Sequence, residues 1–137
     1  MKGQIIARRR AGRRHEVVSV EGEQRYCRTP CVQCPWRKDV PTGEFPAEAF
    51  RISANTAYDM STKKFGCHMS GTERVATCAG FLISGADHNL AVRMGRATGT
   101  LPFDLQSPVE LYASYREMAE ANGVSPDDPA LAPCRDD

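Results

Sequence analysis

A chain of 137 residues is long enough for one domain and leaves no room for a second full one. Its hydrophobic fraction of 41% and aromatic fraction of 7% provide for a modest core, so a bond tying distant segments together would help it fold. No stretch is long and apolar enough to cross a membrane, and the net charge of +1 hides an uneven distribution.

Positive charge gathers at the front. Arg8, Arg9, Arg10, Arg13 and Arg14 form a basic arm over residues 1–14, and Arg25, Arg28, Arg37 and Lys38 follow in the first third. Glu117, Glu120, Asp127, Asp128, Asp136 and Asp137 gather at the end. A basic front predicts a surface that faces phosphate or an acidic partner. The basic N-terminus has no apolar segment after it, so no secretory signal is expected. The expected compartment is therefore a reducing cytoplasm, where six cysteines signal metal binding or thiol chemistry in preference to disulfides.

Residues 15–123 are expected to form the folded domain. His15 to Val20 has strand-like density of β-branched residues, Glu21-Gly22-Glu23 signals a turn, and Gln24 to Arg28 can return as a second strand. Pro30, Pro35 and Pro41 break regular structure around Cys31-x-x-Cys34, a tight thiol-bearing knuckle with Trp36 as an apolar lid. A helix is predicted from Pro46 to about Met60, with Phe50, Ala54, Ala57 and Tyr58 on one face. Cys78 to Ile83 reads as a short buried helix. Asp87 is placed to cap a further segment through Leu90, Val92 and Met94 that stops between Gly95 and Gly99, with His88 and Asn89 serving its start. The clearest helical signal is Ser107-Pro108-Val109-Glu110, a capping box that predicts a helix to Asn122-Gly123. Residues 124–137 read as a flexible acidic tail, with Cys134 a surface thiol. The fold class is α+β: a mostly helical, metal-stabilised small domain with an N-terminal β-hairpin.

The chemistry is concentrated in sulfur. Cys31 and Cys34 can turn onto one ion, and Cys67 and Cys78 can close a tetrahedral zinc site with them. His68 is an alternative ligand, but adjacent residues point different ways, so one of Cys67 and His68 is expected to bind directly. Cys27-x-x-x-Cys31-x-x-Cys34 has the spacing that holds a [4Fe–4S] cluster in radical enzymes, and Cys34-Pro35 matches ferredoxin-type ligation. The chain lacks the strand–helix alternation of a radical-enzyme barrel, which makes Cys27 a chance neighbour. A cluster on Cys31, Cys34, Cys67 and Cys78 remains the rival to zinc.

Pro30-Cys31-x-x-Cys34-Pro35-Trp36-Arg37-x-Asp39, then Phe45-Pro46 with Phe50, Phe65-x-Cys67-His68 and Cys78-Ala79-Gly80-Phe81 resembles a family of small uncharacterised phage and prophage proteins over about residues 29–92. The resemblance implies that the four cysteines, Trp36, Arg37, Asp39 and His68 belong to one site, in a protein working in a bacterial host. It implies no activity. Two functions are then open. A metal-tied binding module would present Arg8–Arg14, Arg37, Lys38, Lys63 and Lys64 to a nucleic acid or a host protein. A zinc enzyme would need an open coordination position, with His68 or Asp39 as base. Four available cysteines argue against it, and no glycine-rich phosphate loop, nucleophile elbow or metalloprotease motif is present.

Overall fold

The computed structural model of the chain describes residues 4–10, 16–21, 25–66 and 76–134. Among these the regular structure is mostly helical, with two strands. Strands β1 (Gln4–Arg10) and β2 (Glu16–Glu21) pair antiparallel. The turn expected at Gly22 lies outside the described residues. Tyr26, expected in a return strand beside 15–20, forms a parallel bridge with Thr77 instead.

Helix α1 (Ala47–Ser53) starts after Pro46 and runs directly into a 3-10 turn, Ala54–Ala57. The small residues Ala54 and Ala57 let this turn lie against the core, where both are buried. A π-helical turn, Phe81–Gly85, follows the buried Cys78. Helix α2 (Leu90–Thr98) is capped by the Asn89 side chain, which accepts a hydrogen bond from the Val92 amide at 3.1 Å. Asn89 also donates to the Lys63 carbonyl at 2.8 Å, which ties α2 to the segment after the 3-10 turn. Asp87, expected as the cap, instead pairs with Arg96 at 3.0 Å. Gly99 ends α2 in the left-handed region (φ +84°), a conformation that glycine adopts without steric cost.

The expected helix does not start at Ser107, although it ends as expected, with Asn122 as C-cap and Gly123 at φ +98°. Helix α3 (Tyr115–Ala121) begins seven residues later, with Ser114 as its N-cap accepting from the Glu117 amide at 3.2 Å. The reason is tertiary. The Glu110 carbonyl accepts from the Lys38 amide at 3.0 Å, the Tyr112 amide donates to the Trp36 carbonyl at 2.9 Å, and Leu111 bridges Arg37. Backbone groups that a helix would need are committed to the segment beside the knuckle. The Ser114 hydroxyl makes the capping bond, while the Glu117 carboxylate pairs with Lys38 at 3.2 Å.

The segment 124–134, expected to be a flexible tail, packs on the body. Val124, Leu131 and Cys134 are buried, Tyr58 donates to the Ala130 carbonyl at 2.8 Å, and Arg51 pairs with Asp128 at 2.8 Å. Cys134 is therefore no surface thiol. The acidic composition concealed a few well-placed apolar residues in a tightly folded strap.

The core is centred on Trp36, which is fully buried. Its ring meets Phe65 and Tyr115 edge-on at centroid distances of 5.9 Å each, and Phe81 at 6.5 Å. Such edge-to-face contacts add to the burial of the rings. The Tyr115 hydroxyl is satisfied inside this core by the Phe50 carbonyl at 2.5 Å and by Ser53 Oγ at 2.6 Å.

Candidate functional site: a thiol cluster beside Trp36

The knuckle is built from two successive turns. The Cys34 amide donates to the Cys31 carbonyl at 3.0 Å, and the Arg37 amide donates to the Cys34 carbonyl at 3.1 Å. Pro35 sits between them, where the missing amide proton costs nothing. This local geometry turns Cys34 inward, where it is fully buried, and leaves Val32 at the tip, 73% exposed.

The second thiol arrives on a different segment. Thr77 takes up the central position of a three-segment patch: its amide donates to the Arg25 carbonyl at 2.7 Å, its carbonyl accepts from the Cys27 amide at 2.9 Å, and the neighbouring Cys78 amide donates to the Phe65 carbonyl at 2.8 Å. Cys78 is thereby delivered to the knuckle. The sulfurs of Cys34 and Cys78 lie 3.5 Å apart, well beyond the roughly 2.05 Å of a disulfide. A hydrogen bond with the Cys31 thiol favours ionisation of Cys34, but the Cys78 sulfur and burial outweigh it and hold the Cys34 thiol far above its ordinary range.

Gly80 allows this approach. A Cβ there would stand 2.6 Å from Trp36 Cβ and 3.1 Å from Cys34 Sγ, so only hydrogen fits between the turn and the knuckle. Gly85, at the end of the π-helical turn, lies against the far end of the same indole. Gly80 belongs to the Cys78-Ala79-Gly80-Phe81 motif of the sequence, but the close approach that it and Gly85 permit was not expected from it, although glycine is the residue that allows backbone to come this near.

Arg37 braces the rim. Its Nε and one terminal nitrogen donate to the two carboxylate oxygens of Asp39 at 2.7 and 2.6 Å, and the other donates to the Cys31 carbonyl at 3.2 Å. The guanidinium holds the Asp39 carboxyl below the usual carboxylate range, chiefly through these hydrogen bonds.

Cys67 and His68 lie outside the described residues, as do Arg13 and Arg14. Arg8, Arg9 and Arg10 stand on β1. Lys38 is neutralised by Glu110 at 3.1 Å and Glu117 at 3.2 Å. Lys64 is buried, at 5% exposure, and so is not presented to a phosphate. Lys63 lies beside the start of α2, its carbonyl held by Asn89. His88 does not cap α2; its ring nitrogens are buried without a hydrogen-bond partner among the described residues. Among the described residues, no group of three or more His, Cys, Asp or Glu side chains is arranged to hold a metal ion. No helix among them is long and apolar enough to cross a membrane.

A small, mostly helical domain with two buried sulfurs in contact is the class that fold and site define. The chain belongs to a family of unknown function (DUF6283), which it matches over residues 26–135. That match includes the knuckle, the aromatic core and the C-terminal strap. No curated protein and no solved structure matches the chain.

Proposed function

We propose that the protein is a metal-tied binding module in which Cys31, Cys34, Cys67 and Cys78 hold one zinc ion and the closed domain acts by docking on a partner. The observation that supports this best is the 3.5 Å contact between the Cys34 and Cys78 sulfurs, 44 residues apart in sequence. Thiolates about 2.3 Å from a tetrahedral ion stand about 3.8 Å from one another, so this pair has nearly the spacing of two ligands on one zinc. Two buried sulfurs in contact cannot both ionise without a counter-charge, and a divalent cation supplies one. A zinc ion closed by four thiolates has no open position and serves structure. Arg37, itself paired with Asp39, then fixes the knuckle through the Cys31 carbonyl, as outer partners of metal ligands do.

The partner is a nucleic acid or a host protein, in keeping with the resemblance to phage and prophage proteins. Arg8, Arg9, Arg10, Arg13 and Arg14 would carry phosphate contacts. The pairing of Lys38 and the burial of Lys64 favour a protein partner for the body of the domain. Elemental analysis of natively purified protein is the deciding measurement, with one zinc per chain expected. Iron and sulfide with absorption near about 400 nm would replace zinc by a [4Fe–4S] cluster on the same cysteines. A properly folded chain without metal overturns the metal reading. DNA or RNA affinity that falls steeply with salt would identify the nucleic-acid partner. Turnover abolished by His68→Ala in a folded chain would mark an enzyme instead.

A further inference from the structure

Helix α2 buries Val92 and Gly95, and its outer face carries Leu90, Arg93, Met94 and Ala97 at the helical spacing i, i+3, i+4 and i+7. The solvent face of a surface helix is ordinarily polar, yet three of these four exposed residues are apolar, with Met94 at 65% exposure. The turn at residues 58–61 stands beside the start of this stripe. The Ser61 amide donates to the Tyr58 carbonyl at 3.1 Å, and the Ser61 carbonyl accepts from the Leu90 amide at 2.9 Å. Third in that turn is Met60, 69% exposed, with a φ of +60° that glycine or asparagine normally supplies. The backbone holds a long apolar side chain in solvent where glycine would cost less. Charge marks the same face. Arg37, Lys38, Arg51 and Arg96 each pair with a carboxylate, whereas Lys63 and Arg93 have none among the described residues. Lys63 is tied to the start of α2 by the Asn89 bond to its carbonyl, and Arg93 stands beside Met94. The nearby acids Asp59 and Asp87 are already engaged, Asp87 with Arg96.

We propose that Met60, Leu90, Met94 and Ala97, with Lys63 and Arg93, form a docking surface for an acidic amphipathic helix of a partner protein. The inference rests on the docking reading above and not on zinc. Unbranched methionines adapt to the shape of an apolar helix face, and a stripe at this spacing is the complement of another helix laid alongside. The two uncompensated cations select a helix with carboxylates on its flank. A nucleic acid would use the cations and leave the methionines in water, so the apolar stripe decides for protein.

The probe is a synthetic helix with leucines at i, i+3, i+4 and i+7 flanked by glutamates, and its control has the same leucines flanked by lysines. Fluorescence anisotropy with the full chain is expected to show binding of the acidic helix only, weakening as salt is added. Met94→Glu should lower that affinity about tenfold or more, whereas Val32→Glu, a similarly exposed apolar site at the tip of the knuckle, should leave it unchanged. Met60→Gly should also weaken binding while keeping the fold, because glycine readily adopts a φ of +60°. No binding of the acidic helix, or binding that Met94→Glu and Met60→Gly leave unchanged, overturns the inference. Equal binding of the lysine helix overturns the acidic partner. A wild-type dimer that Met94→Glu dissolves makes a second copy the occupant and overturns it as well. Nucleic-acid affinity carried by the basic arm would survive each of these results, and the docking reading with it. A chain that binds neither helix nor nucleic acid and turns over a substrate through His68 overturns both.

Discussion

The sulfur atoms of Cys34 and Cys78 touch at 3.5 Å, although one belongs to a proline-flanked knuckle and the other opens a buried helical turn. Gly80 and the Trp36 side chain lie directly behind them. If an ion sits between these sulfurs, Cys78→Ser should abolish zinc uptake. Chelation should then unfold the wild-type domain. Ligation of this kind contributes on the order of 10 kcal/mol, comparable to the whole stability of a small domain. Circular dichroism melts with and without chelator, alongside metal content, test this. A melt unchanged by chelator, with no metal in the wild type, would refute it.

Gly80→Ala should destabilise the fold by about 1–3 kcal/mol, the usual result of overpacking. The new methyl carbon would fall 2.6 Å from Trp36 Cβ and 3.1 Å from Cys34 Sγ, so the indole and the knuckle must both move. Trp36 is the only tryptophan, so its fluorescence reports the change in a denaturant titration. An unaltered midpoint would show that the turn and the knuckle are not in close contact.

The two serines that resemble N-caps should behave differently. Ser114→Ala should cost about 1 kcal/mol, because the Glu117 amide loses its acceptor. Ser107→Ala should leave α3 intact, since no helix begins there and the Ser107 hydroxyl bonds locally, accepting from the Val109 amide at 3.1 Å and donating to its carbonyl at 2.6 Å. A loss of helical circular dichroism in Ser107→Ala equal to that in Ser114→Ala would contradict the placement of α3.

Docking of the strap should weaken in acid. The Asp128 carboxyl is held below its ordinary value by the Ala130 amide and then by Arg51. A depressed folded value means that the carboxylate stabilises the folded state above the unfolded value of about 3.9, and that this contribution disappears as pH falls through the folded value. Hydrogen exchange at the amides of Leu131 and Cys134, which bond within the strap, should therefore accelerate relative to its intrinsic rate, which itself falls with pH, below about pH 4. In Asp128→Asn it should be faster at neutral pH and insensitive to this acid step. A wild-type profile flat across that range would rule out the Asp128 contribution.

Chain order alone determined the features that depend on near neighbours. The prolines around Cys31 and Cys34 impose a turn, the spacing of Phe50, Ala54 and Ala57 produces a helical face, and Gly99 ends α2, each because φ restriction, side-chain periodicity or a left-handed residue acts within one or two turns. Only the tertiary structure decided that residues 110–112 would spend their hydrogen bonds on residues 36–38 instead of a helix, that a proline- and aspartate-rich ending would bury Leu131 and Cys134, and that Tyr26 would bridge Thr77. In each of those outcomes a local preference of about a kilocalorie competes with the burial of an apolar side chain or the pairing of a buried backbone group. The burial and the pairing are stronger, and they come from residues far away in the chain.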